Sequence, residues 1–159
     1  MIEAKPNYKL LKQFLATLRN EDKEEICALG CQNFEYDLFE FLDNNPKYTY
    51  FLLSKNKKPL ALGGAKEASI PYVAKVWLLT TNELKNNKLE LYRYVKDKIE
   101  LFKTKYDVLY NFIYKTNFNS LKWLKRAGFS ELSLENQDYK LFYFIHGGKE
   151  FDIRYFTCE

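Results

Sequence analysis

The sequence predicts a mixed α/β fold, in which a sheet is built partly from hairpin strands and partly from strands separated by single helices. Three observations point there. Residues 8–42 repeat apolar side chains at helical spacing. Two apolar, β-favouring runs, 73–80 and 108–114, bracket one long amphipathic stretch. Two aromatic runs, 48–53 and 139–145, are bounded by turn residues. The resulting order is β, α, α, α, then β, β, β, α, β, α, β, β, and strands flanking single helices indicate a mixed sheet.

The elements follow in order. Residues 2–5 read as a short strand ending at Pro6. Asn7 is a plausible N-cap, after which Leu10, Leu11, Phe14, Leu15 and Leu18 share one helical face. Asn20 caps a second helix, with Glu21 and Asp22 in the first turn, where the helix dipole favours negative charge; it stops near Gly30 or Cys31. Phe34, Leu38, Phe41 and Leu42 mark a third helix, closed by Asn44-Asn45-Pro46. Tyr48–Leu53 and Leu60–Ala65 form a hairpin across Lys55–Pro59. The small residues at 61–65 imply close approach by backbone or ligand. A strand at 73–80 leads into a polar loop, Thr81 to Lys88. Leu91, Val95, Ile99 and Phe102 place a helix over 87–104. The strand at 108–114 is apolar almost throughout, as in a strand buried on both faces. A short helix at 119–126 is closed by Gly128 at a C-cap position. Strands are expected at 129–134 and 139–145, with a turn at 136–138 between them, and a further edge strand at 151–156.

With 159 residues, 47% of them apolar and 13 Tyr beside 13 Phe, the chain is read as one domain, 1–159, that buries roughly 70% of its unfolded surface. An ordered chain is expected on the same grounds. The formal charge of +4, from 25 basic and 21 acidic residues, is spread along the chain. It reads as a solvated mixed-charge surface and not as the dense basic patch of a nucleic-acid binder; a phosphate-bearing small ligand fits it equally. Cys27 and Cys31 share a helical face. His146 is the only histidine, so a set of about four zinc ligands is not assembled. Buried thiols in a reducing cytosol are expected instead, with no metal. His146 itself reads as a strand-end or turn residue. The N-terminus has no signal-peptide pattern, and no apolar run nears the ~20 residues of a membrane span. A soluble intracellular protein is expected, without membrane partners.

Five segments in order carry a resemblance to a known family: Arg19 to Ala28, Pro59-Leu60-Ala61, Trp77-Leu78-Leu79-Thr80-Thr81, Asn117 to Leu124, and Ala127-Gly128-Phe129. Together they resemble the GNAT N-acetyltransferases, in the branch encoded by tailed phages and prophages, some of whose members are internal virion or head-associated proteins. The resemblance covers residues 17–145. It implies a mixed, mostly antiparallel sheet with one splayed parallel strand pair and helices on both faces. The splayed pair is then 73–80 and 108–114, with acetyl-CoA lying in the V-shaped opening between them. The pantetheine arm maps onto the backbone of Leu78, Leu79 and Thr80, and the pyrophosphate onto backbone amides where the next helix begins, a position favoured by unpaired N–H groups and the helix dipole.

The resemblance also has departures. Family members carry an Arg- or Gln-led, glycine-containing loop at the pyrophosphate position. Here Asn82 to Lys88 contains no Gly, which hinders close backbone approach. Asn86 and Asn87 tolerate left-handed backbone, and Lys85 and Lys88 supply charge; a plain polar connector is the equal alternative. Asn117 and Ser120 match positions beside the cofactor, although Asn117 equally suits a turn or cap. The family's acid Tyr aligns with Leu124, which cannot donate a proton; Tyr110 and Tyr114 lie nearby in sequence. Glu67 and Glu83 are candidate bases for deprotonating an amine. Catalytic candidates are therefore Glu67, Glu83 and Tyr114.

The leading expectation is a GNAT-fold, acyl-CoA-dependent N-acetyltransferase of phage or prophage origin, working in the host cytoplasm on a small-molecule or protein amine. The alternative is a catalytically inactive GNAT-fold protein that serves as a virion component or interaction module, with phage virion proteins as partners. Nucleic-acid binding through Lys and Tyr residues receives little weight. Acceptor, turnover and oligomeric state stay open.

Overall fold

The computed structural model describes residues 1–28, 33–44, 47–134, 137–148 and 152. Among them, seven strands form one sheet in the order β1-β2-β3-β4-β5-β7-β6. The strands are β1 (Ile2–Ala4), β2 (Thr49–Leu53), β3 (Pro59–Glu67), β4 (Val73–Thr80), β5 (Val108–Tyr114), β6 (Ser130–Ser133) and β7 (Tyr139–Ile145). The helices are α1 (Tyr8–Thr17), α2 (Asn20–Ala28), α3 (Phe34–Asn44), α4 (Leu84–Lys103) and α5 (Phe118–Arg126). Every neighbouring pair is antiparallel except β4–β5. That parallel pair holds only at Val73↔Val108, Ala74↔Leu109 and Lys75↔Tyr110. Beyond Lys75 the two strands part, while on its other edge β5 pairs along its whole length with β7.

Alternation along β4 assigns the two cores, because successive side chains point to opposite faces. Ala74 and Val76 pack with Ile99 and Phe102 of α4 and Leu121 of α5. Trp77 and Leu79 face the other way, onto Leu11, Phe14, Leu38 and Leu42 of α1 and α3 and Ile26 of α2. Helices thus cover both faces.

Most boundaries agree with the sequence reading to within one residue, and three departures have a clear physical cause. Helix α4 begins at Leu84, so residues 85–88 are its first turns and not a loop. Leu84 is buried beside Leu52, Leu60, Ala61 and Leu91, and this apolar anchor extends the helix towards its N-terminus across the polar residues. Asn20 is the first helical residue of α2, and the Arg19 carbonyl accepts the first bond, from the Lys23 amide at 3.1 Å. Strand β3 runs from Pro59 to Glu67, longer than 60–65, because β4 pairs with it as far as Glu67↔Ala74. Asn7 caps α1 as expected, accepting from the Leu10 amide at 3.0 Å. Gly128 closes α5 at φ 86°, with the Phe129 amide reaching back to the Leu124 carbonyl at 3.1 Å. The ends expected at Gly30–Cys31 and Asn45-Pro46, the start of the turn at Asn136, and the edge strand at 151–156 apart from Asp152 lie outside the described residues, as do Cys31 and Cys158. Cys27 is exposed, not buried as the sequence reading expected, because it lies on the solvent side of α2 beside buried Ile26, and it is not in a disulfide.

The close approach expected at 61–65 is between backbones. A Cβ on Gly64 would lie 1.9 Å from the Tyr48 carbonyl oxygen, and one on Gly63 would lie 2.7 Å from that of Trp77. Gly64→Ala should therefore push β2 away from β3 and cost about 2–3 kcal/mol. Chemical denaturation of the variant checks this, and an unchanged midpoint would contradict it.

Candidate functional site at the opening between β4 and β5

Where β4 and β5 part, the sheet has a gap that needs other partners for its polar backbone. Arg19, between α1 and α2, and Asp22, in the first turn of α2, supply them. Thr80 turns both backbone groups into the gap: its carbonyl accepts from the Arg19 amide at 3.1 Å, and its amide donates to Asp22 Oδ2 at 2.8 Å. The Thr80 hydroxyl donates to the same oxygen at 3.1 Å. Arg19 grips the Asp22 carboxylate from the other side, with Nη2 to Oδ1 at 2.8 Å and Nε to Oδ2 at 3.2 Å. Asp22 is 2% exposed. A buried carboxylate is tolerable here because a guanidinium fork and two further donors compensate the lost water.

One turn along α2, Glu25 reaches the start of α5. Asn117 Nδ2 donates to Glu25 Oε2 at 2.6 Å, while Asn117 Oδ1 accepts from the Ser120 amide at 3.3 Å. Asn117 is buried and therefore both caps α5 and ties it to α2. Burial pushes the Glu25 carboxyl above the ordinary glutamate value, and the neighbouring Asp22 charge adds to this; Asn117, a backbone hydrogen bond from Tyr114 and the Lys75 charge oppose it.

On the α4/α5 side the gap opens into an apolar cavity of about 100 Å³, lined among others by Leu78, Leu84, Ile113, Ser120, Trp123 and Leu124. Leu124, which the resemblance aligns with an acid Tyr, is part of its wall. A second hollow of about 380 Å³ adjoins it, bounded by the start of α4, the α1–α2 junction and α5.

The start of α4 leaves no spare donors. From Thr80 to Asn86 every backbone amide is bonded within the chain. Thr80 donates to Asp22, Thr81 to Leu60 O at 3.0 Å, Asn82 to Thr17 O at 3.0 Å and Glu83 to Thr81 Oγ1 at 3.3 Å. Leu84, Lys85 and Asn86 donate to the carbonyls three residues back, at 3.1, 3.4 and 3.3 Å. Helix N-termini ordinarily present free N–H groups; Thr81, buried with its own hydroxyl on Pro59 O at 2.7 Å, organises this one into a closed turn.

The residues singled out in the sequence are distributed as follows. Leu78, Thr80 and Ser120 line the apolar cavity, and Lys85 and Lys88 border the adjoining hollow. Leu79 packs on the opposite face. Asn87 Nδ2 donates to Glu83 O at 2.9 Å, and Asn86 is exposed. Glu83 pairs with Lys58 at 3.3 Å. Glu67 ends β3, opposite Ala74 near the start of β4 and away from the gap, accepting from the Tyr106 hydroxyl at 3.0 Å. Tyr114 ends β5 against the Tyr139 ring, 5.4 Å away. Sequence reasoning missed Arg19, Asp22, Glu25, Lys122 and Arg126. The signal for the first three was their spacing, since 19, 22 and 25–26 fall on one helical face with buried Ile26. Among the described residues no group of three or more His, Cys, Asp or Glu is placed to hold a metal ion, and no helix is long and apolar enough to cross a membrane.

The family model described as "Bacteriophage T7, probable scaffold protein Gp13" matches residues 49–131, just over half of the 159-residue chain. The chain belongs to this Gp13 family. No curated protein matches the sequence. Solved structures match the shape of this Gp13-family chain. One described as a phosphinothricin N-acetyltransferase superimposes with TM-score 0.61 at 14% identity, covering 89% of this chain and 94% of that one. A Bacillus subtilis acetyltransferase in complex with CoA gives 0.58 at 12% identity, covering 91% and 96%. A chimera of the Vibrio cholerae spermidine N-acetyltransferase gives 0.54 at 16% identity, covering 70% and 74%. At these identities the likeness is one of fold: the Gp13-family chain has the GNAT sheet, with its single parallel pair and helices on both faces.

Two outcomes follow from the carboxylates. Asp22→Ala leaves a largely buried guanidinium and the Thr80 amide without a partner, which should cost about 3 kcal/mol and raise hydrogen exchange at Thr80; thermal unfolding and exchange mass spectrometry read both. For Glu25, a carboxyl raised in the folded state contributes its stability fully below the ordinary value of 4.5 and loses it as pH rises through the raised value. Glu25→Gln carries no charge at any pH. The native melting temperature should therefore fall relative to that of Glu25→Gln as pH climbs from 4.5 towards neutrality, and parallel curves would refute the assignment.

Proposed function

We propose that this Gp13-family chain acts as one GNAT-like domain serving phage assembly through protein contacts, and that it does not carry out acyl transfer from acetyl-CoA. The observation that carries this is the closed turn at the start of α4. A pyrophosphate is held in this fold by backbone N–H groups aimed at it, and here each amide from Thr80 to Asn86 already has an acceptor within the chain. The occupation of the gap by Asp22 supports the same reading, since the Thr80 amide, where the resemblance would pair pantetheine, is taken. On this reading its partners are virion proteins, and its place of action is the host cytoplasm and the assembling particle.

One observation favours a second reading, an acyl-CoA-dependent N-acetyltransferase with an unidentified amine acceptor. Glu25 is a carboxyl raised by burial at the edge of the opening, and a raised carboxyl is suited to take a proton from an ammonium group. The B. subtilis structure shows that a chain of this fold binds CoA.

A thermal-shift titration with acetyl-CoA, CoA, adenosine diphosphate and buffer separates the two. No saturable shift at millimolar ligand is the expected outcome. A ligand at 100 times its dissociation constant adds roughly 2.7 kcal/mol to stability, so a saturable rise with acetyl-CoA would overturn the non-catalytic reading. Glu25→Gln would then test the second, by abolishing turnover while leaving the shift intact.

A further inference from the structure

The hollow beside the apolar cavity has a one-sided charge. Lys85 and Lys88 of α4 and Lys122 and Arg126 of α5 all border it, with Glu21 as the one carboxylate among its lining residues. All four cations are exposed. None belongs to an ion pair among the described residues, although Lys58, Lys98, Lys103, Lys125 and Lys140 elsewhere on the surface do. Four unpaired like charges around one hollow repel one another, and an anionic occupant relieves that repulsion.

The hollow and the cavity adjoin, sharing Arg19, Leu84, Asn119 and Trp123 in their walls. The occupant therefore meets cations at the mouth and an apolar pit behind. A cavity near 100 Å³ accepts one side chain of aliphatic or small aromatic size, judging from engineered cavities of about 150 Å³ that hold benzene. The carboxamides of Asn20, Asn82 and Asn119 stand along the hollow and offer both donors and acceptors, as an extended peptide backbone requires. With the α4 amides spent, recognition falls to long, separated side-chain cations. Those suit several spaced carboxylates better than one compact pyrophosphate.

We propose that this composite groove binds an acidic peptide segment of a partner protein, with carboxylates against Lys85, Lys88, Lys122 and Arg126 and one apolar side chain in the cavity. The proposal rests on the non-catalytic reading and names the partner chemistry of the same site.

The test is fluorescence anisotropy with a labelled synthetic peptide that carries one leucine between two runs of three glutamates. Binding is expected. It should weaken at least about tenfold in the double variant Lys122→Glu, Arg126→Glu, whose melting temperature and circular dichroism report that the fold is kept. It should weaken similarly when the peptide leucine becomes glycine, a change that cannot unfold the protein. Equal affinity for the leucine and glycine peptides would overturn the proposal, as would binding of oligothymidylate as tight as that of the peptide. Absence of peptide binding together with absence of an acetyl-CoA shift would overturn this proposal alone. An acetyl-CoA shift with displacement of the peptide would overturn both it and the non-catalytic reading.

Discussion

The organisation of this molecule depends on one carboxylate. Strands β4 and β5 pair at only three positions before they diverge, and a sheet that opens in its middle exposes backbone groups that must be matched. Asp22 matches the amide and the hydroxyl of Thr80 and is itself neutralised by Arg19. The same few atoms join the α1–α2 segment to the end of β4. They also complete the closed turn from which α4 departs, since Arg19 N and Asn82 N make the adjacent cross-links to Thr80 O and Thr17 O.

The gap therefore separates two chemical environments. On the α2 side stand Asp22 and Glu25, with Asn117 linking α2 to α5. On the α4/α5 side stand an apolar cavity and four cations that have no ion-pair partner among the described residues. The chain's own side chains cross part of this opening, and the backbone amides at the start of α4 are bonded within the chain. The family to which the chain belongs is described as a probable scaffold protein. Fold and function are separable because function resides in a few groups at one site.

Much of the architecture was legible in the chain. Helix α1 was visible from Leu11 and Phe14 with Asn7 ahead of them, and α5 from the Asn117 and Gly128 punctuation, because caps are local interactions between residues a few positions apart. The site was less legible. Asp22 and Glu25 look like ordinary first-turn and surface acids, and nothing near them in sequence marks Thr80 or Asn117 as partners. Those contacts span 58 and 92 positions. The start of α4 was misread for the same reason: Leu84 is helical because it is buried against Leu60 and Ala61, and polar neighbours conceal that.

What the sequence determined by itself was therefore the element order, the mixed sheet and the absence of glycine where a phosphate loop belongs. These follow from periodicity, turn chemistry and residue type, all readable within a few residues. Only the tertiary structure decided that the amides of that loop are spent, that Asp22 fills the gap, and that Lys85, Lys88, Lys122 and Arg126 converge. Each of these is a pairing between elements distant in the chain, and such pairings exist only once the sheet has brought them to one end.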